Sequence, residues 1–233
     1  MSRCAIMQPT YLPWAGYFNL AACVDVFVLL DDVQFERRSW QSRNRILLQG
    51  REHVLTVPVC KVPRDTRIAD ILVDPHSHWR GAHWQTLVTA YAKAPHGKQV
   101  LALLEPVYTG GDIRELATWN QSIIQLLAGG LGLSPRWVRA SELDCGGQRS
   151  EHLLALCRAV GCDEYLSPQG SRAYLADDGF ESSGDVRLQF QDYAPLRYPQ
   201  HRADVFVSHL SLVDVVANQG FDFSRHYVMG KSA

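Results

Sequence analysis

The chain has 233 residues, 46% of them hydrophobic, and a formal net charge of −1 at pH 7. That length can bury one substantial core, and the balanced charge excludes a field drawing the protein to nucleic acid or to an anionic membrane surface. No apolar run approaches membrane-span length, the start has no secretory h-region, and six cysteines without a C-x-x-C pair or zinc-cage spacing fit a reduced cytoplasm.

In chain order, "CAIM" reads as a short buried strand stopped by Gln8-Pro9, since proline cannot donate to a ladder. Residues 15–24 read as a helix, and "VFVLL" (26–30) as a second strand ending at Asp31-Asp32. Its continuous rather than alternating apolar pattern is that of a strand buried on both faces. Strand, helix, strand makes a βαβ unit. "RILLQG-REHVLTVPV" reads as a hairpin turning near Gln49-Gly50, followed by three helices around 78–93, 97–105 and 112–128. "SELDCGGQ" is a loop opening a helix at 149–160, where Leu153, Leu154, Leu156, Cys157 and Val160 keep helical spacing up to Gly161. "PRWVRA", "EYLSP" and "VRLQFQ" are further strands, and "HLSLVDVVANQG" closes the chain as an amphipathic helix with Gly220 after it. The expectation is one α/β domain over 1–233. It has a Rossmann-like, mostly parallel sheet with a helical insertion over about 76–130.

Ligands of open α/β sheets gather at the carboxyl ends of the strands, and four such ends here are polar. The first is Gln8-Pro9, opening the turn "QPTYLPWAGYF". A helix starting after it points free N–H groups at whatever lies above the strand. Gly16 permits close backbone approach, and Tyr11, Trp14 and Tyr17 either stack on a ligand ring or plug the sheet edge. The second is "LDDVQFERRSWQSRNRI". Adjacent carboxylates on a strand face opposite ways, so one of Asp31 and Asp32 faces a pocket, to orient a hydroxyl, act as base or hold Mg²⁺. Gln8 joins them as a catalytic candidate. Arg38, Arg43 and Arg45, with Gln34 and Asn44, offer planar forks and amides suited to a phosphate or carboxylate; the alternative is a solvated loop of surface ion pairs. The third and fourth ends are Ser141-Glu142 and the "SPQGS" turn. In that turn Ser167 and Gly170 either present N–H donors to an anion or merely cap a helix. His76, His78 and His83 complete no ligand set, so no metal site is assigned.

The motifs "QPTYLPWAGYF", "DVFVLLDDVQFERRSWQSRNRI", "LTVPV", "YAKAP", "SPQGSRAYL" and "VRLQFQDYAPLRYPQ…LSLVDVVANQG" together resemble the WbqC-like protein family nearly end to end. The resemblance implies a transferase-like role in sugar or surface-polysaccharide assembly, and hands over no residue with an assigned role. The first βα turn also looks like that of nucleotidylyltransferases and pantothenate synthetases, in which an H-x-G-H signature binds nucleotide phosphates. Trp14-Ala15-Gly16-Tyr17 stands in those places, so Gly16 matches and both histidines are absent. The expected function is a cytoplasmic biosynthetic transferase on a phosphorylated, nucleotide-linked or amino-bearing small metabolite. The alternative is a non-catalytic binding or scaffold protein on a degenerate nucleotidyltransferase-like fold. A nucleotide or Mg²⁺ is a candidate cofactor. The expected partner is a small-molecule substrate, without nucleic acid or membrane; the sequence leaves the oligomeric state open.

Overall fold

The computed structural model describes residues 2–180 and 185–230. Strands β1 (Arg3–Met7), β2 (Val26–Leu29), β5 (Arg136–Arg139), β6 (Glu164–Ser167) and β7 (Arg187–Phe190) form a parallel sheet of order β5-β2-β1-β6-β7. The short apolar runs make it parallel because both faces are covered. Ala5, Phe27 and Leu29 bury into one core, while Cys4, Ile6, Val26 and Val28 bury into another. The first core is closed by α1 (Ala15–Ala22), α2 (Trp79–Tyr91), α3 (Gly97–Thr109), α4 (Leu116–Gly130) and α7 (Leu212–Val228), the second by α5 (Ser150–Ala159) and α6 (Arg172–Asp177). Helix α1 is buried from Ala15 to Ala21. This suits a helix that is apolar all round and packs against α7. All six cysteines are free thiols, and no described helix is long and apolar enough to cross a membrane.

Strands β3 (Arg43–Leu48) and β4 (Arg51–Thr56) form a separate antiparallel hairpin turning at Gln49-Gly50. Helices α2 to α4 follow it, before β5 returns to the sheet. Three boundaries differ from the sequence expectation by a turn of helix or more. Helix α3 continues through Pro106 to Thr109. Proline costs one hydrogen bond near the helix end, while Val107 and Tyr108 gain burial there. Helix α4 starts at Leu116 rather than 112, because residues 114–116 are drawn into bonds with the 71–73 segment: Val73 N to Arg114 O, 2.8 Å, and Leu116 N to Ile71 O, 2.8 Å. Gly220 does not end α7; it kinks it at φ 80°, with helix resuming to Val228. The His96 ring sits where a Cβ would be, 2.9 Å from its Nδ1, so the kink needs glycine.

The strand order places a topological switch between β1 and β6: the chain passes outward through β2 and β5, then returns beside β1 and continues to β7. Ligands of such sheets bind outside the carboxyl ends at that reversal.

Candidate functional site

The turn leaving β1 is rigid because three elements hold its backbone. Asn44 at the start of β3 donates its amide to the Tyr11 and Leu12 carbonyls, both at 2.9 Å. Asn120 of α4 donates to Pro9 O at 3.0 Å and Gln41 O at 2.7 Å. Tyr11 N donates to Trp40 O at 3.0 Å. Leu12 is thereby kept at φ 44°, a left-handed conformation that a branched side chain adopts only where its surroundings impose it. The Tyr11 ring drops into the core, its hydroxyl 2.9 Å from His83 Nδ1 and 2.6 Å from Tyr108 Oη. Burial raises the Tyr11 phenol and lowers the His83 imidazole to about 4, so both stay neutral near pH 7.

The next residues build a pocket. The Trp14 indole lies flat over Gly16, where an added Cβ would come within 2.1 Å of Cζ2; it also packs on His209 with centroids 4.9 Å apart. Trp14, Tyr17 and the half-exposed Trp40 wall a cavity of about 250 Å³ at the end of β1, with Met7 and Thr10 beside them and Asn44, Arg45 and His209 completing the lining. Arg43 and Arg45 set their guanidinium carbons 5.9 and 5.5 Å from the Trp40 ring centre. Arg45 donates from Nη1 to Glu52 Oε2 at 3.0 Å and from Nη2 to His209 O at 3.2 Å, while its Nε is buried without a partner. His209, which lines the pocket, is like Leu12 a left-handed non-glycine residue, at φ 56°.

A second polar group sits at the ends of β2 and β5. Asp31 is fully buried and fully engaged: Oδ2 accepts from Arg139 Nε at 2.6 Å and Ser141 Oγ at 2.9 Å, and Oδ1 from Ser141 N at 2.9 Å. Asp32 faces the other way, its Oδ2 3.0 Å from His152 Nε2 and its Oδ1 buried without a partner. Cys145, on the loop before α5, has its thiol pushed up first by burial and then by Asp32 and Asp144, which opposes thiolate chemistry.

The structure thus brings Trp14, Tyr17, Asn44 and Arg45 to one cavity, with Gly16 beneath the Trp14 indole and Arg43 against the Trp40 ring but not in the lining. Gln8 is adjacent, its Oε1 accepting from Gln41 Nε2 at 2.9 Å and its carbonyl from Tyr17 Oη at 3.3 Å. Tyr11 is not on the cavity surface. Arg38 is exposed at φ 61° and does not line the cavity. Gln34 lines a different cavity, of about 560 Å³, with Phe35, Glu36, Arg37 and the 62–64 segment. Ser167 is fully buried at the end of β6, and Gly170 is exposed in the short 3-10 turn beyond it. Sequence reasoning passed over Trp40, His209 and His152. Trp40 lay inside a quoted motif, in the shadow of its arginines; the two histidines have partners far away in the chain, which spacing does not reveal. Among the described residues no three His, Cys, Asp or Glu side chains are grouped to hold a metal ion.

The sequence profile of the WbqC-like protein family matches residues 8–226, a span that contains both groups of side chains except Met7. The chain belongs to the WbqC-like protein family. It is 31% identical over 221 residues to a Mycobacterium tuberculosis protein designated Uncharacterized protein Rv1507c, covering 94% of this chain and 95% of that one. No solved structure matches the chain.

Proposed function

We propose that this WbqC-like protein is a cytoplasmic biosynthetic transferase that works on a phosphorylated, nucleotide-linked or amino-bearing small metabolite, such as a sugar or natural-product intermediate in polysaccharide assembly. The observation that carries the reading is the Arg45 Nε, buried and unpartnered in the wall of an aromatic cavity at the carboxyl end of β1. A buried donor left without an acceptor costs about 1–3 kcal/mol. A ligand anion that shifted Arg45 slightly would recover that cost, while the flat walls of Trp14 and Trp40 accept a ring. In this reading Asp31 holds the β5 end in place, Asp32 handles the proton of the acceptor group, and Gln8 orients the substrate. A larger cavity, of about 420 Å³ beside Asp74, Arg80, Asp112 and Arg114, mixes both charge signs and lies away from the ends of the parallel strands, so it supports the reading less.

The test is a thermal-shift panel of ATP, CTP, UDP-sugars, acyl-CoA and inorganic pyrophosphate, with and without Mg²⁺. A ligand at 100 times its Kd stabilises the fold by about 2.7 kcal/mol. The expected result is a shift with an anionic, ring-bearing donor that Arg45→Ala abolishes. A shift with no member of the panel overturns the anion-donor reading. Tight binding without any turnover would instead favour a scaffold on the same fold.

A further inference from the structure

His152 is held between two groups that accept hydrogen bonds. Its Nδ1 lies 3.1 Å from the Gly146 carbonyl oxygen and its Nε2 lies 3.0 Å from Asp32 Oδ2. A carbonyl has no proton to give, so Nδ1 carries one, and a neutral ring then presents a bare lone pair at Nε2. A bare lone pair against an ionised carboxylate is repulsive, so the Asp32 contact requires one further proton within it. A proton on Nε2 completes both contacts, the ring donating from Nδ1 to the Gly146 carbonyl and from Nε2 to Asp32 Oδ2.

The loop that supplies the Gly146 carbonyl is built to make this contact. Gly147 adopts φ 92°, and a Cβ there would come 3.0 Å from the His152 amide nitrogen, so only glycine lets the loop fold over the first turn of α5. Asp144 and Arg149 on either side are left-handed at φ 47° and 50°. Asp31 fixes the start of the segment through Ser141. The first turn of α5 favours the negative charge on Asp32. Asp32 also interacts electrostatically with Arg67 and with the Cys145 thiol.

We propose that Asp32 and His152 are the proton-handling pair of the site, sharing one proton between Oδ2 and Nε2, with His152 the positioning residue that keeps it loaded. This rests on the transferase reading and narrows it. The donor is an ester whose leaving oxygen departs as an anion, such as a phosphate or sugar phosphate, and the acceptor bears a hydroxyl or amine. As the bond between the transferred group and the leaving oxygen breaks, its electron pair stays on that oxygen, which takes the pair's shared proton, passed from His152 Nε2 onto Asp32 and from there to the leaving oxygen. The acceptor's lone pair forms the new bond, and its O–H or N–H proton returns to the pair. Donor plus acceptor thus gives protonated leaving group plus product, and the pair ends as it began.

The experiment is ¹⁵N-histidine NMR on the full chain at pH 7, comparing wild type with Asp32→Asn. The expected result is two protonated nitrogens on His152 in the wild type and a bare Nε2 in Asp32→Asn, where the new amide donates to it. A bare Nε2 in the wild type overturns the proposal. This readout needs no ligand, so it stands or falls separately from the transferase reading. With the donor that raises the thermal midpoint, His152→Gln keeps a donor against Asp32 but no titratable proton. It is expected to lower transfer about 100-fold or more and to flatten the pH profile with the midpoint unchanged. Wild-type rate and pH profile in that variant would reduce His152 to a structural role and overturn the proposal.

Discussion

Replacing Asn44 by alanine tests whether the turn after β1 is held in a strained shape or simply prefers it. The amide makes two 2.9 Å bonds to the Tyr11 and Leu12 carbonyls from a buried position. Its Oδ1 accepts from Arg45 N at 2.8 Å. Each bond between neutral groups is worth about 0.5–1.5 kcal/mol net, and carbonyls left buried without a donor add to the loss. Relaxation of Leu12 from φ 44° returns some strain, of order 1 kcal/mol. The net expectation is a loss of about 2.5 kcal/mol, which for a chain of this length lowers Tm by roughly 5–10 °C. Urea unfolding and calorimetry of Asn44→Ala and Asn44→Asp read it out, the aspartate retaining the acceptor but not the donors. Both variants should also lose the aromatic cavity, because the turn carries Trp14 and Tyr17. A loss below about 1 kcal/mol with the cavity intact in a crystal structure would show that the turn holds itself, refuting the clamp.

Asp31→Asn breaks a buried ion pair with Arg139, an event that costs about 3 kcal/mol, whereas Asp32→Asn should stay within about 1 kcal/mol; equal effects on Tm would mean the division of labour between the two carboxylates is misassigned. Gly16→Ala must expel the Trp14 indole that lies 2.1 Å from the new Cβ, so a red shift of tryptophan emission and loss of ligand-induced stabilisation are expected, and unchanged emission would contradict the packing. His83 has its affinity for protons lowered by burial from 6.5 to about 4. The unfolded ring therefore binds a proton first, and the stability present above pH 6.5 falls as pH drops towards 4, by up to about 3 kcal/mol. Unfolding of wild type and His83→Gln at pH 7 and pH 4.5 should show this acid loss in the wild type alone.

Much of the sheet was legible because its cause is local. "CAIM" and "VFVLL" are too short and too continuously apolar to be anything but strands covered on both faces, and Pro9 fixes where the first one stops. The order of the strands was not legible, since nothing in "EYLSP" states that it pairs with β1 rather than with β5. Gly220 was misread because a glycine after an amphipathic run has the same signature whether it ends a helix or kinks one. In the candidate site, the turn residues and arginines stood out through composition. The choice between Asp31 and Asp32 depended on Arg139, Ser141 and His152, each more than a hundred positions away. Asn44 looked like a ligand-binding amide, and its donors are already committed to the turn.

The most direct measurement of what the β1 cavity does is a tryptophan-fluorescence titration with UDP-sugars and ATP of wild type, Trp14→Phe, Trp40→Phe and Arg45→Ala. Saturable quenching in the wild type, reduced in each tryptophan variant and absent in Arg45→Ala, is the outcome expected if an anionic, ring-bearing donor sits between the two indoles. Saturable binding that leaves both indoles unquenched, or that survives Arg45→Ala unchanged, would place the ligand elsewhere and contradict the proposed site.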